Sequence, residues 1–100
     1  MREQQFPGYN SQIFRIHALR QMFQRTISDE EVRVILAKGF IIEDYPDDTP
    51  YPSCLVSGMA GGRPLHVVMA YNNVDREAIV ITAYEPQATM WSPDFSRRRT

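Results

Sequence analysis

The chain has little of what marks several common classes of protein. Of its 100 residues one is a cysteine, Cys54, so neither an internal disulfide nor a multi-cysteine zinc site can form, a usage that fits a reducing compartment. Long hydrophobic runs are missing. The longest, Leu65 to Tyr71 broken by His66 and Ala78 to Tyr84 broken by Thr82, fall far short of the roughly 20 residues a membrane helix needs. The opening Met1-Arg2-Glu3-Gln4-Gln5 is polar, without the apolar segment of a secretory leader, so the expectation is a cytoplasmic protein with no membrane partner. There is almost no excess charge, −1 net, unlike the basic balance of a dedicated nucleic-acid binder. Phosphate loop, dinucleotide fingerprint, nucleophile elbow and zinc spacing are all absent, and no cofactor or metal is expected.

What is present is enough for one core: 43% of residues are apolar and 11% aromatic. Residues 1–12, polar with Pro7-Gly8, read as a flexible arm ahead of a single domain over 13–100. From Ile13 to Arg25 the positions Ala18, Leu19, Met22 and Phe23 recur at helical spacing, which predicts an amphipathic helix with those four inward and Arg20, Gln21 and Gln24 outward. Ser28 followed by Asp29-Glu30-Glu31 has the capping-box form and opens a second helix over about Asp29 to Lys38. Its buried stripe is Val32, Ile35 and Leu36, and Lys38-Gly39 predicts a left-handed stop.

After Gly39 the period becomes extended. Strands are predicted at Phe40–Tyr45, Ser53–Met59, Pro64–Tyr71 and Glu77–Tyr84, parted by the proline-rich loop 46–52, a Gly61-Gly62 hairpin and an Asn72-Asn73 turn. The fold class is therefore α+β, with two N-terminal helices on one face of a four-stranded antiparallel sheet in the order ααββββ.

Register refines this. A two-residue turn at Gly61-Gly62 sets Ala60 opposite Arg63, Ser57 opposite His66, Val56 opposite Val67 and Cys54 opposite Met69. Pairing Tyr71 with Glu77 adds Met69–Ile79, Val67–Ile81 and His66–Thr82. The helix-covered face then collects Cys54, Val56, Leu65, Val67, Met69, Ile79, Ile81 and Ala83. The other face carries Ser57, His66 and Thr82 in one row beside Tyr84, with Val68 and Val80 further along, so His66 is expected on an open surface. The tail, with Trp91 and Phe95, should fold back on the body.

The series His17-Ala18-Leu19, Met22, Arg25, Ile27-Ser28, Asp44-Tyr45-Pro46, Pro52-Ser53, Arg63-Pro64-Leu65-His66-Val67-Val68, Tyr84-x-Pro86, Trp91 and the terminal arginines resembles the bacterial domain-of-unknown-function family 4258 (DUF 4258), over roughly Ile13 to Arg99. The resemblance implies a fold similar to the RelE and BrnT toxins, a zinc-finger antitoxin as partner, and RNA as the substrate of a metal-independent ribonuclease. Two positions depart from the family. An arginine is usual four residues after the histidine, where Gln21 stands here with Arg20 beside it; Arg15 replaces a small capping hydroxyl.

Metal-independent RNA cleavage needs a base for the 2′-hydroxyl, an acid for the leaving oxygen and cations for the phosphate. His66, His17 and Tyr84 are the candidate proton-transfer residues. Arg63, Arg20, Arg25 and the terminal arginines, with Ser57 and Thr82, are the candidate substrate contacts. Each has a plainer reading: His66 a strand histidine satisfied by Ser57 or Thr82, His17 a donor to a nearby carbonyl, Tyr84 and Trp91 packing. Cys54 and His66 fall on opposite faces, so a thiol nucleophile is not expected. The acids Glu43, Asp44, Asp47 and Asp48 match no calcium loop. Arg15, Arg20 and Arg25 near one end and Arg97, Arg98 and Arg99 at the other would make a local basic surface if the ends meet. Two functional readings remain: an RNA-directed, toxin-like enzyme, and a non-catalytic protein-binding module.

Overall fold

The computed structural model describes residues 2–3 and 11–99. Its strands and helices run β1 (Arg2–Glu3), β2 (Ser11–Phe14), α1 (Ile16–Gln24), α2 (Asp29–Lys38), β3 (Phe40–Tyr45), β4 (Ser53–Ala60), β5 (Arg63–Asn72) and β6 (Glu77–Tyr84). They form an α+β domain whose sheet has the strand order β1-β3-β4-β5-β6-β2. The expected four antiparallel strands form its centre. Two short strands extend the edges, β1 antiparallel to β3 and β2 parallel to β6, so the sheet is mixed.

The edge strands correct the reading of the N-terminus. Arg2–Glu3 and Ser11–Gln12, expected in a flexible arm, pair with the sheet, while residue 1 and residues 4–10 of that arm lie outside the described residues. Ile13 and Phe14, expected in the first helix, pair with Ile79 and Val80 instead. The edge of β6 offers unpaired amides and carbonyls, and a four-residue extended segment satisfies them before the helix starts.

α2 matches its sequence signals. The Ser28 hydroxyl accepts from the Glu31 amide at 3.0 Å and the Glu31 carboxylate accepts from the Ser28 amide at 2.9 Å, closing the capping box. Val32, Ile35 and Leu36 are fully buried against β4 and β5. The helix ends differently from expectation. Gly39 is extended, not left-handed. Glycine is required there by crowding: a Cβ would stand 2.6 Å from the Ile35 carbonyl oxygen and 2.7 Å from that of Ser57.

The β4–β5 register is as read from sequence, with Gly61 and Gly62 at φ +58° and +80° in the hairpin turn. The β5–β6 register is not. Asn72 pairs with Glu77, one residue beyond the expected Tyr71, because the Asn72 carboxamide oxygen accepts from the amides of Val74 and Asp75 and builds a turn one residue shorter, closed by left-handed Arg76. That register carries through to Met69–Val80, and a β-bulge between Met69 and Val68 shifts the pairing again, giving Val67–Ala83 and His66–Tyr84. Ala78 and Val80 therefore join Ala83, expected there, in the helix-covered core, whereas Ile79 and Ile81, also expected there, do not.

α1 also sits differently. Ala18 and Met22 are buried against the sheet, but Leu19 and Phe23, expected beside them, face out.

Gly39→Ala should lower stability by about 3 kcal/mol through this overpacking. Gly62→Ala, strained only by its positive φ in open space, should cost about 1 kcal/mol. Urea unfolding of the two variants checks the contrast.

Candidate functional site

The site assembles where the C-terminal segment returns across the face of the sheet opposite the helices. Pro86 follows β6, and Met90 and Trp91 turn back through amide bonds to the Gln87 carbonyl. From Ser92 to Arg97 the chain closes on itself. The Asp94 carboxylate accepts from both the Ser92 and Ser96 hydroxyls at 2.7 Å, which holds its pKa down at about 2. Phe95 takes a left-handed conformation, φ +60°, an uncommon state for an aromatic residue.

The Phe95 carbonyl meets His66. His66 Nε2 lies 2.8 Å from that oxygen and Nδ1 lies 3.1 Å from the Tyr84 hydroxyl. A carbonyl can only accept, so Nε2 carries the proton, and the bare Nδ1 accepts from Tyr84. The ring packs edge-on to Trp91, with centroids 4.4 Å apart, and against Tyr84 at 5.3 Å. Its exposure is 0%. The expected open face at His66 is thus covered, by the tail and not by the helices. Burial pushes the His66 pKa below its ordinary value, against the Phe95 carbonyl bond, which acts the other way, and pushes the Tyr84 phenol up. The imidazole is neutral and the phenol protonated at pH 7.

Beside this clamp a cleft of about 580 Å³ opens, lined by Arg25, Arg63, Arg98, Tyr84, Trp91 and Glu85 among others. Its three guanidinium groups differ in their engagement. Arg63 is tied up by Glu85 at 2.7 Å and by the carbonyls of Thr26 and Arg25, a brace between β5 and the α1–α2 connection. Arg98 stacks 4.7 Å from the Trp91 ring centroid and bridges to Glu43 at 3.1 Å. Burial opposes ionisation of Glu43, yet the Tyr45 hydroxyl and Arg98 outweigh it and hold the pKa below the ordinary value. Arg25 donates to the Ala83 carbonyl at 2.8 Å and contacts the Thr82 hydroxyl at 3.5 Å, with no carboxylate partner among the described residues.

The predicted residues are partly brought together. Buried His66 and Ser57 and half-buried Tyr84 form one cluster, in which the Ser57 hydroxyl reaches the Phe95 carbonyl at 3.5 Å. Arg25 and Arg63 meet at the cleft. Thr82, expected beside His66, leaves that row at the bulge and donates to the Gln21 side chain of α1. Gln21 in turn donates to His17 Nε2 at 2.9 Å, so His17 belongs to a polar line along α1, apart from His66. Arg20 is exposed on the outer face of α1. Of the terminal arginines expected as phosphate contacts, Arg98 reaches the cleft. Trp91, expected to pack, and the Phe95 carbonyl are contributors that the sequence did not mark, since nothing local in 86–99 announces which strand it will meet.

A second cavity, of about 640 Å³, lies at the far end of β4 and β5 between Tyr51, Cys54, Met69 and Tyr71, and contains none of the expected site residues. Among the described residues no group of three or more His, Cys, Asp or Glu side chains is placed to hold a metal, and no helix is long and apolar enough to cross a membrane.

A family model described as Domain of unknown function (DUF4258) matches residues 14–85. The chain belongs to that family. No curated protein and no solved structure matches it. The DUF4258 match takes in His17, Arg25, Arg63, His66 and Tyr84, while the segment that caps His66 and supplies Trp91 and Arg98 lies beyond it.

Because the folded His66 pKa lies below its unfolded value of about 6.5, the unfolded chain binds the extra proton first as pH falls. Stability should therefore be full above about pH 6.5 and decline below it, a slope that His66→Gln flattens in urea midpoints taken between pH 7.5 and 5. His66→Ala should cost about 3 kcal/mol and red-shift the fluorescence of Trp91, the single tryptophan.

Proposed function

We propose that the chain is the toxin-like component of a type II toxin–antitoxin pair, similar in kind to RelE and BrnT, acting on RNA with the arginine cleft as its phosphate-binding surface and a zinc-finger protein as the neutralising partner. One observation carries the RNA reading: the Arg25 guanidinium, without a carboxylate partner among the described residues, lines a cleft together with Tyr84 and Trp91. Guanidinium beside aromatic rings is the combination that grips phosphate and stacks on bases. Arg98 can add to it, because its bridge to Glu43 is exposed and such pairs contribute only about 0–1 kcal/mol.

Cleavage would run through Tyr84. Its oxygen takes the proton of the attacking 2′-hydroxyl while its own proton passes to His66 Nδ1, Arg25 steadies the phosphate, and the leaving 5′-oxygen is protonated by water. Burial makes His66 a weak base, so the expected ribonuclease is slow and loses rate as pH falls. His17 stands outside this relay.

With an unstructured RNA in the presence of a chelator, Tyr84→Phe should retain binding and lose cleavage by roughly 100-fold, within the range general acid–base groups contribute. Arg25→Ala should weaken binding by roughly tenfold and reduce the salt slope by about one. Folded wild-type protein that neither binds RNA at low salt nor slows growth on expression would overturn the reading.

The second reading, a non-catalytic protein-binding module, is favoured by the complete burial of His66, which leaves the cleft without an exposed imidazole. It predicts a stable protein complex and intact RNA, with Tyr84→Phe indifferent in both.

A further inference from the structure

The outer face of α1 carries an exposed apolar row that the cleft does not use. Ile16, Leu19 and Phe23 are 68%, 46% and 88% exposed, and Ile13 of β2 continues the row at 41%. Their spacing of three and four residues places them in one stripe along the helix. The inner face is already occupied, since Ala18 and Met22 pack on the sheet and Gln21 and Arg25 bond to Thr82 and the Ala83 carbonyl. α1 therefore has two faces that seek cover, and the fold supplies one.

The charge around the stripe is of one sign. Residues 12–28 contain Arg15, Arg20 and Arg25 and no acidic residue. Arg15 and Arg20 are exposed. At about 100° per residue, Arg20 borders the stripe, between Ile16 and Gln24 around the helix. The face therefore asks for apolar cover over Ile16, Leu19 and Phe23 and for a counter-charge at its border. Symmetric pairing of two copies through this face would bring Arg15 and Arg20 of both chains together, which disfavours a homodimer. A carboxylate among apolar side chains satisfies both requirements at once.

We propose that the outer face of α1 docks an acidic amphipathic helix of a partner protein, with Leu or Ile residues set against Ile16, Leu19 and Phe23, and Glu or Asp paired with Arg20 and Arg15. Phe23 is the anchor, as the aromatic residue with the most area to bury. This surface is separate from the arginine cleft, and the inference stands whether or not the chain acts on RNA.

The test uses two synthetic 16-residue helical peptides with the same leucine stripe, one flanked by glutamates and one by lysines, titrated by fluorescence anisotropy against the full chain. Binding of the glutamate peptide alone is expected. Phe23→Ser should weaken it by roughly tenfold or more, and Arg20→Glu should weaken it while conferring binding of the lysine peptide. Both positions are exposed, and circular dichroism with Trp91 fluorescence checks that the variants fold. Absence of binding, equal binding of the two peptides, or indifference to Phe23→Ser would overturn the proposal. So would sedimentation with anionic phosphatidylglycerol vesicles that Phe23→Ser abolishes, or a concentration-dependent dimer that Phe23→Ser dissolves.

Discussion

The structure depends on one buried imidazole. His66 sits in a central strand on the side of the sheet that the helices leave bare, and an uncompensated polar ring there would cost several kcal/mol in lost solvation. Both of its nitrogens are satisfied, one by Tyr84 across the strand pair and the other by the carbonyl of Phe95, nearly thirty residues later in the chain. The second bond fixes the tail. It accounts for a phenylalanine held at positive φ, since the left-handed turn aims that carbonyl at the ring, and it brings Trp91 edge-on against the same imidazole. Over His66 a layer that could have had one wet face is covered on both, while Val68 and Ile81 further along stay half-exposed.

The cleft follows from the clamp. Tyr84 and Arg63 come from neighbouring strands and Arg25 from the end of the first helix, but Trp91 and Arg98 arrive only because the tail is held down. The charges there are unequal in availability. Glu85 and Glu31 neutralise Arg63 and Glu43 neutralises Arg98, whereas Arg25 faces only a carbonyl and a hydroxyl. The near-zero net charge of the chain therefore conceals a local cationic surface, in keeping with its arginines being grouped at the two ends of the sequence and its acids in the middle.

Sequence reasoning succeeded where the signal is local. The capping box at Ser28 and Glu31, the stripe Val32, Ile35 and Leu36, and the paired glycines of the β4–β5 hairpin each encode their conformation within a few residues, and the hairpin carries the Ser57–His66 pairing with it. It failed where a distant partner decided the outcome. The Asn72 side chain shortened the next turn by capping two amides, and the bulge after Val68 shifted the register once more, so that His66 met Tyr84 and Thr82 turned toward Gln21. Ile13 and Phe14 read as helix because an apolar pair fits either period; the open edge of β6 made them strand. Gln21, which looks like a lost cation next to His17, links that histidine to the sheet.

By itself the sequence determined the α+β class, the bounds of the second helix and four central strands, and the exclusion of His66 from the helical side, because helix caps, hydrophobic periodicity and hairpin turns act over a few residues. Tertiary structure alone decided that the tail covers His66 on the far side of the sheet, that Arg25 and Arg98 meet at one cleft, and that Leu19 and Phe23 face outward. Those outcomes turn on which distant groups satisfy a buried donor, an open strand edge or an apolar face, a choice made only when the whole chain packs.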